Sequence, residues 1–281
     1  MDVDQRVQSA ISGDEIGLWS ARIGEIVLRS AYQLIFRRHG DDLEAVAAEG
    51  FLRPTREGAA VSPSAYLNSL RADERSFVSR VGAALHLANQ FHIGIDDLNL
   101  VLALRREDST LRGQDFFDLV GRTDLDPAAL LFHFREADCI PAEVLAAQSR
   151  ELADLGASIA IGHFTRPFPP ALRLVKPNLA AIRGEWFRRV CQHEAAKRLF
   201  VELARCLKRE GMAVWVEGIE NCEQLDLACH AGADLLSGYL LCRPQLAGTD
   251  MEASLNMRNL LSRRPFPADP SIYAGSNQRK N

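Results

Sequence analysis

The stretch VWVEGIEN at residues 214–221, followed by SGYLLCRP at residues 237–244, is the most informative part of this chain about its fold. Each stretch overlaps a short run of apolar, often branched residues, Ala213–Val216 and Leu235–Leu240, and such runs are typical of buried parallel strands. Between them, Asn221 opens the sequence NCEQ, whose first and last residues form the pattern of a capping box. The order of strand, capped helix and strand predicts one unit of a parallel α/β fold.

The same pattern recurs along the chain. Helical patterns at Ser62–Phe91, Pro141–Leu155 and Trp186–Arg209 alternate with further apolar runs that we predict to be buried strands. This alternation with short connectors predicts a parallel sheet with right-handed crossovers, and about seven or eight units in about 250 residues indicate a closed barrel. The further strands are Ile26–Phe36, Leu43–Ala48, Leu98–Leu104, Leu130–Phe134, Ala157–Ile161 and Leu179–Ile182.

Two segments lie outside the barrel pattern. Residues 1–23 precede the first predicted strand, and we expect them to form an N-terminal extension of one or two short helices. Residues 263–281 are rich in Pro, Ser, Asn and charge, which predicts a disordered C-terminal tail. The sequence therefore predicts a single domain over residues 24–262.

Composition favours a soluble, cytoplasmic protein. The 281 residues are 47% hydrophobic, which is ordinary for a globular fold. No run approaches the roughly 18 apolar residues of a membrane span, and the acidic, polar start is unlike a signal peptide. The net charge of −4 argues against broad nucleic-acid binding. The six cysteines lack metal-site spacing, so we expect reduced thiols.

Five short motifs lie between about Leu28 and Pro244. They are YQLI at 32–35, EGFLR at 49–53, LGASIAI at 155–161, EGIE at 217–220 and GYLLCRP at 238–244. Together they resemble the motifs of the EAL domain family, with the last two the most specific. The resemblance implies an EAL-type (β/α)8 TIM-like barrel and, for active members, hydrolysis of cyclic di-GMP.

In active members, the resemblance implies, divalent ions such as magnesium or manganese neutralise the phosphodiester and activate water. Oxygen ligands at the carboxyl ends of the strands hold these ions. This chain keeps three family carboxylates, Glu49, Glu136 and Glu217. The other positions carry Arg105 for an Asn, His133 for a Glu, Gly162 and His163 for two Asp, Ala181 and Arg183 for a Lys and an Asp, and Ser237 for a Gln. We therefore expect a degenerate EAL domain with no catalytic residues and no metal.

Four of the replacements, Arg105, His133, His163 and Arg183, are predicted at one barrel mouth, and three interpretations stay open. In the first interpretation, these side-chain cations hold a phosphate directly in place of metal ions. Alternatively, the positions drifted after catalysis was lost, and the side chains are solvated or paired with Glu49 and Glu217. As a third interpretation, His133 and His163 bind a transition metal with a Glu.

Arg53 and Gln33 match family positions close to the bound ligand. Their retention allows cyclic di-GMP to bind without hydrolysis, although Arg53 could instead pair with Glu49. Against binding, TRPFPP at residues 165–170 places three prolines where the family has a Gly-rich loop that supports catalysis and dimer contacts. The candidate ligand-binding residues are Gln33, Arg53, Arg105, His133, His163, Arg183, Glu217 and Ser237.

These features predict a catalytically inactive EAL-domain regulator that acts through contacts with an unidentified regulatory protein. Binding of cyclic di-GMP without metal, and a homodimer, are both compatible with that prediction. The alternative is an enzyme, namely a residual or remodelled cyclic di-GMP phosphodiesterase that uses magnesium or manganese.

Overall fold

The computed structural model describes residues 3–105, 125–135, 137–162 and 175–262. The strands in these residues are, in chain order, β1 (Ile11–Gly13), β2 (Trp19–Ile23), β3 (Ile26–His39), β4 (Asp42–Arg56), β5 (Ala59–Ala60), β6 (Asn99–Leu104), β7 (Leu130–Phe134), β8 (Ser158–Gly162), β9 (Leu179–Ile182), β10 (Ala213–Val216), β11 (Leu235–Leu236), β12 (Gln245–Leu246) and β13 (Ser254–Asn256).

Eight of these strands close into a barrel. They pair in the order β3-β11-β10-β9-β8-β7-β6-β4, and the pairing of β3 with β4 completes the ring. All neighbours from β4 through β6 to β11 are parallel. The predicted single-domain (β/α)8 TIM-like barrel is therefore confirmed.

The first barrel strand departs from the parallel arrangement that the sequence predicted. β3 runs antiparallel to both β4 and β11. Its last residue, His39, pairs directly with Asp42, and Gly40 in the two-residue connection has φ 64°. A parallel pair needs a crossover of a dozen or more residues, so this short turn makes the pair antiparallel.

The helices are α1 (Val3–Ala10), α2 (Pro63–Ser69), α3 (Ala72–Ala88), α4 (Ala142–Asp154), α5 (Gly184–Cys191), α6 (Glu194–Arg209), α7 (Cys222–His230) and α8 (Met257–Ser262). Two long predicted helices are each divided. The helix predicted at Ser62–Phe91 breaks where Leu70 and Arg71 are extended, and the helix at Trp186–Arg209 breaks at extended His193. None of the helices in the described ranges is long and apolar enough to cross a bilayer.

The predicted cap of α7 is confirmed, with one change of partner. Asn221 Oδ1 accepts a hydrogen bond of 2.9 Å from the backbone N–H of Gln224. The side chain of Gln224 reaches back one residue further than predicted, because its Oε1 accepts from the N–H of Glu220 at 2.7 Å. This hydrogen bond ties the start of the helix to the EGIE motif that follows β10.

The sequence predicted a wholly helical N-terminal extension, but the structure shows one helix followed by two strands. Only α1 is a helix, and the hairpin β1–β2 follows it. β2 continues the sheet by pairing antiparallel with the start of β3, from Ser20 opposite Arg29 to Ile23 opposite Ile26. The alternating residues of WSARI form a short strand between β1 and β3, whereas the sequence predicted a helix there. The predicted tail at residues 263–281 lies outside the described residues.

The barrel interior is filled by small and branched side chains with one large exception. Ile35, Val101 and Leu131 pack there with neighbouring alanines, and Trp215 of β10 is fully buried among them. A wide ring in a narrow barrel supports the residues above it, because protein interiors are close-packed. Trp215 therefore forms the floor of the barrel mouth.

Candidate functional site

Three strands bring Glu49, His133 and Glu217 together at one end of the barrel. Glu49 lies in β4, His133 is the fourth residue of β7, and Glu217 directly follows β10. His133 Nδ1 lies 3.5 Å from Glu49 Oε1 and 3.6 Å from Glu217 Oε1. The exposed fractions are 4%, 0% and 7% in chain order, so the cluster is withdrawn from solvent. Two acidic groups thus face one imidazole in a poorly solvated space.

Gly162 makes room for the imidazole of His133. A Cβ added to Gly162, at the end of β8, would lie only 2.6 Å from His133 Nε2 and 3.3 Å from the Cβ of Ala181. Real Cβ atoms do not approach other heavy atoms as closely as the shorter of these distances. The predicted replacements at positions 133, 162 and 181 are therefore one packing arrangement, in which a ring on β7 occupies the space beside a bare backbone on β8.

One ring contact and one hydrogen bond continue the floor beneath the cluster. The rings of His133 and Trp215 have centroids 4.9 Å apart with an interplanar angle of 54°. Trp215 Nε1 donates a hydrogen bond of 3.0 Å to Ser237 Oγ, and Ser237 is buried. Ser237, a candidate ligand-binding residue, thus holds the tryptophan beneath the histidine.

Arg135 joins the cluster, although it was not among the site residues predicted from the sequence. Its Nε lies 3.9 Å from Glu49 Oε1. Burial acts to raise the pKa of Glu49, but the charge of Arg135 and the contact with His133 outweigh burial and hold that pKa below its ordinary value. Burial raises the pKa of Glu217. The charges of His133 and Arg135 act to lower that pKa but offset the effect of burial only in part. Its spacing could have revealed Arg135, because it lies two residues after His133 and residues two apart in a strand point to the same face.

A cavity of about 110 Å³ opens between residues 50–53 of β4, helix α3 and the end of β6. Arg53, Arg105 and Arg135 all line it. The Cζ atoms of Arg53 and Arg135 lie 6.0 Å and 5.7 Å from the ring centroid of Phe51. Burial lowers the pKa of Arg53, although a guanidinium keeps its charge at ordinary pH. The structure therefore brings together two predicted arginines and one unpredicted arginine on a surface suited to an anion.

A second buried histidine, to which the sequence analysis assigned no role, lines the same cavity. His86 of α3 is 6% exposed, and its Nδ1 lies 2.9 Å from Ser30 Oγ. A Cβ at Gly50, which follows Glu49, would come within 2.5 Å of the ring of His86. Burial lowers the pKa of His86 to about 4, against the raising effect of Glu49 and with the lowering effect of Arg53. His86 is therefore neutral at ordinary pH.

The remaining candidates have separate positions. Gln33 lies opposite Glu49 in the β3–β4 pairing and donates from Nε2 to the carbonyl of Cys242 at 2.7 Å. Arg183 has a half-exposed side chain whose Nη2 lies 3.4 Å from Glu185 Oε2, at the start of α5. Glu136, His163 and the loop at residues 165–170 lie outside the described residues.

The described residues do not fit a pair of magnesium or manganese ions. Such ions prefer oxygen ligands, and magnesium requires near-ideal octahedral geometry. Here the potential ligand atoms are two carboxylate oxygens and one imidazole nitrogen, all within 4.8 Å of one another. A carboxylate at position 162 would collide with His133. This bears on a metal pair only, and the broader expectation of no metal stays a prediction.

Comparison with known proteins gives a family and a fold. The family model described as "EAL domain" matches residues 26–244. A structure titled as the PaMucR phosphodiesterase in complex with c-di-GMP superposes with a TM-score of 0.68 at 17% identity, covering 78% of this chain and 92% of that chain. No curated protein sequence matches the chain.

Two further solved structures are similar. Klebsiella pneumoniae BlrP1, in a manganese and cyclic di-GMP complex, gives a TM-score of 0.68 at 19% identity over 82% of this chain and 59% of its own. The Bacillus subtilis YkuI protein, in complex with c-di-GMP and calcium, gives 0.68 at 18% identity over 80% of this chain and 56% of its own. At these identities the likeness shows the fold alone, and the chain spans little more than half the length of these two relatives.

Proposed function

The chain belongs to the EAL domain family, and from that premise we propose that it is a catalytically inactive member that regulates through protein contacts. The barrel scaffold is intact, while the cluster at its mouth lacks the ligand arrangement expected for hydrolysis. In this proposal cyclic di-GMP is a ligand that the protein senses, not a substrate that it cleaves.

One observation carries the proposal, namely the contact between His133 and Gly162. The ring occupies the space between Glu49 and Glu217, and its Nε2 lies where a side chain at position 162 would have to begin. Hydrolysis of a phosphodiester by paired metal ions needs ligands on both sides of those ions. A histidine packed against a bare backbone removes one carboxylate and the space for another.

A cleavage assay tests the inactivity. Purified full-length protein is incubated with cyclic di-GMP and either magnesium or manganese, and linear pGpG is measured by chromatography. We expect no product above the level given by Glu49→Gln protein. Product formation proportional to the wild-type protein, and absent with Glu49→Gln, would replace the proposal with the enzyme alternative.

That alternative, a residual or remodelled phosphodiesterase, has one observation in its favour. Glu49 and Glu217 are both retained and buried at the barrel mouth. Retained carboxylates alone do not supply the geometry of a metal pair, and Arg135 adds a positive charge beside Glu49. The same cleavage assay decides between the two functions.

Ligand binding rests on the cavity lined by Arg53, Arg105 and Arg135. Guanidinium groups hold phosphate bidentately, and a lost charged hydrogen bond typically costs about 1.5–3 kcal/mol. In calorimetric titration with cyclic di-GMP, we expect an affinity that is unchanged by added magnesium or manganese. Arg53→Ala should weaken it by about 10–150-fold.

Arg183→Ala is the matched control, because that arginine is half-exposed and paired with Glu185. It should leave the affinity unchanged. Equal affinity in wild type and Arg53→Ala would remove the cavity from the proposal, and absence of any binding would leave protein contact as the sole mode of action.

The surface of the barrel offers a place for such a contact. Helices α5 and α6 pack together, and they expose Trp186 by 40% and Leu199 by 71%. Large exposed apolar side chains mark interaction surfaces when they lie close together. A second copy of the chain is the simplest partner, so sedimentation equilibrium of wild type and Leu199→Lys is the test. Equal molecular mass for both, at the monomer value, would turn the search to a different protein.

A further inference from the structure

The spacing of Glu49, His133 and Glu217 is wider than direct hydrogen bonding. His133 Nδ1 lies 3.5 Å and 3.6 Å from the two Oε1 atoms, whereas N–H···O bonds in proteins span about 2.7–3.2 Å. A tetrahedral ion with bonds of about 2.0–2.1 Å separates its ligand atoms by about 3.3–3.4 Å. The observed separations are close to that value. All three ligand atoms lie within 4.8 Å of one another, so a single ion can contact all of them.

The carboxylates also have coordination capacity left over. Glu49 Oε1 and Glu217 Oε1 are buried and make no hydrogen bond within the described ranges. Burying a carboxylate oxygen without a partner is costly, so an arrangement of this kind is stabilised by a cation between the oxygens. Two such oxygens directed at one imidazole nitrogen constitute a donor set, not merely an acidic patch.

The mixture of donors selects the class of ion. Magnesium and calcium favour all-oxygen coordination, whereas an imidazole suits zinc and related transition ions. Zinc sites with three protein ligands keep a fourth position open. Here Arg135, close to Glu49, would favour water or an oxyanion at that position.

We infer that Glu49, His133 and Glu217 bind a single zinc-type divalent ion, in place of a magnesium or manganese pair. The ligands lie on or beside β4, β7 and β10, so the barrel fixes them before the ion arrives. Gly162 keeps the ring of His133 in place by leaving space for its Nε2. The inference goes beyond the proposed function, since a bound ion need not support hydrolysis.

Equilibrium dialysis tests the inference. Full-length protein is stripped with a chelator, dialysed against zinc or millimolar magnesium, and analysed for bound metal by mass spectrometry. We expect one zinc per chain and no retained magnesium. Cobalt in place of zinc should give visible absorption bands of a four-coordinate site, which report on coordination without any enzymatic readout.

Two variants and a control make the result specific. His133→Gln and Glu217→Gln should each lower zinc affinity by more than about 100-fold, because loss of even an outer partner costs about 10–100-fold. His230→Gln is the matched control, since His230 is exposed on α7 and is not one of the three proposed ligands. Circular dichroism will establish whether each variant is folded. If His133→Gln does not fold, Glu217→Gln still tests the site.

Some results would overturn the inference. One is that the wild type binds zinc no better than His133→Gln and Glu217→Gln do. Another is that the wild type retains magnesium as well as it retains zinc. A third is that only His230→Gln loses zinc. The first would mean that Arg135 and His133 neutralise the carboxylates without an ion. The dialysis contains no cyclic di-GMP, so its failure leaves the proposed function untouched, and product in the cleavage assay would overturn that function without touching this site.

Discussion

Two glycine–histidine contacts lie on opposite sides of Glu49, and they differ in what surrounds the imidazole. Inside the barrel, His133 packs against Gly162 and faces two carboxylates. Outside it, His86 packs against Gly50 and faces the hydroxyl of Ser30. Both rings occupy space that a Cβ would fill. The same pair of residue types therefore produces a candidate ligand at one place and a neutral packing group at the other.

Burial of a histidine alone does not define a binding site. His86 is nearly as buried as His133, yet its partner is a hydroxyl, and burial lowers its pKa to about 4. His133 lies beside the carboxylates of Glu49 and Glu217, and these three side chains offer ligand atoms for a metal ion. Chemistry follows from the partners of a buried histidine, and four predictions test that distinction.

The largest expected effect comes from acid. The pKa of His86 falls from 6.5 in the unfolded chain to about 4 in the fold. Below pH 6.5 the unfolded state therefore binds the additional proton, and stability falls as pH decreases through this window. The full loss is about 3 kcal/mol. Urea unfolding at several pH values should show it, and His86→Gln should flatten the slope while His230→Gln does not. Equal slopes in all three proteins would contradict the buried, neutral state.

The next effect comes from filling either contact. Gly50→Ala and Gly162→Ala should each destabilise the fold by about 1–3 kcal/mol, because an added methyl meets a ring at 2.5 Å or 2.6 Å. In double-mutant cycles, His133→Ala should relieve the cost of Gly162→Ala but not that of Gly50→Ala. Additive costs in the His133–Gly162 cycle would mean that the two positions are not coupled.

A smaller effect distinguishes the two carboxylates by sign. The low pKa of Glu49 means that its ionised form stabilises the fold at neutral pH, and this contribution is lost as pH falls. The raised pKa of Glu217 means that its ionised form costs stability as pH rises. For metal-free protein at pH 7, Glu49→Gln should lower and Glu217→Gln should raise the free energy of unfolding measured by urea denaturation. Changes of the same sign would show that the pair is symmetric.

The smallest expected effect is on turnover. His133→Glu and Gly162→Asp each restore one family carboxylate, and neither should produce detectable pGpG from cyclic di-GMP. A metal site depends on several ligands in mutual geometry, and an aspartate at position 162 meets the ring of His133. Measurable cleavage by either single variant would mean that the site is nearer to activity than its geometry indicates.

The fold was largely predictable from local pattern. The strands predicted at Leu130–Phe134, Leu179–Ile182 and Ala213–Val216 have the same ends in the structure, because short apolar runs are typical of buried parallel strands. The strand predicted at Leu235–Leu240 ends at Leu236 instead. There Ser237 and Gly238 turn to bond the loop that follows β10, and the carbonyl of Ser237 accepts from the N–H of Ile219.

The site was predictable in its members but not in its contacts. His133, Glu49 and Glu217 follow from the positions that resemble the family motifs. The pairing of Gly50 with His86 joins residues from a strand and a distant helix, and the entry of Arg135 depends on how β7 ends. A single sequence carries periodicity along the chain, whereas these contacts arise only once the barrel has closed.

Closure of the barrel has a consequence for synthesis. The seam between β3 and β11 joins Phe36 to Leu236, which emerges from the ribosome 200 residues later. At about 5–20 residues per second, the edge of β3 waits about 10–40 s for that partner. During this interval the hydrogen-bonding groups along a 14-residue strand lack their final neighbour. The order of strands in this chain therefore leaves the edge of β3 open to incorrect pairing until most of the chain has been synthesised.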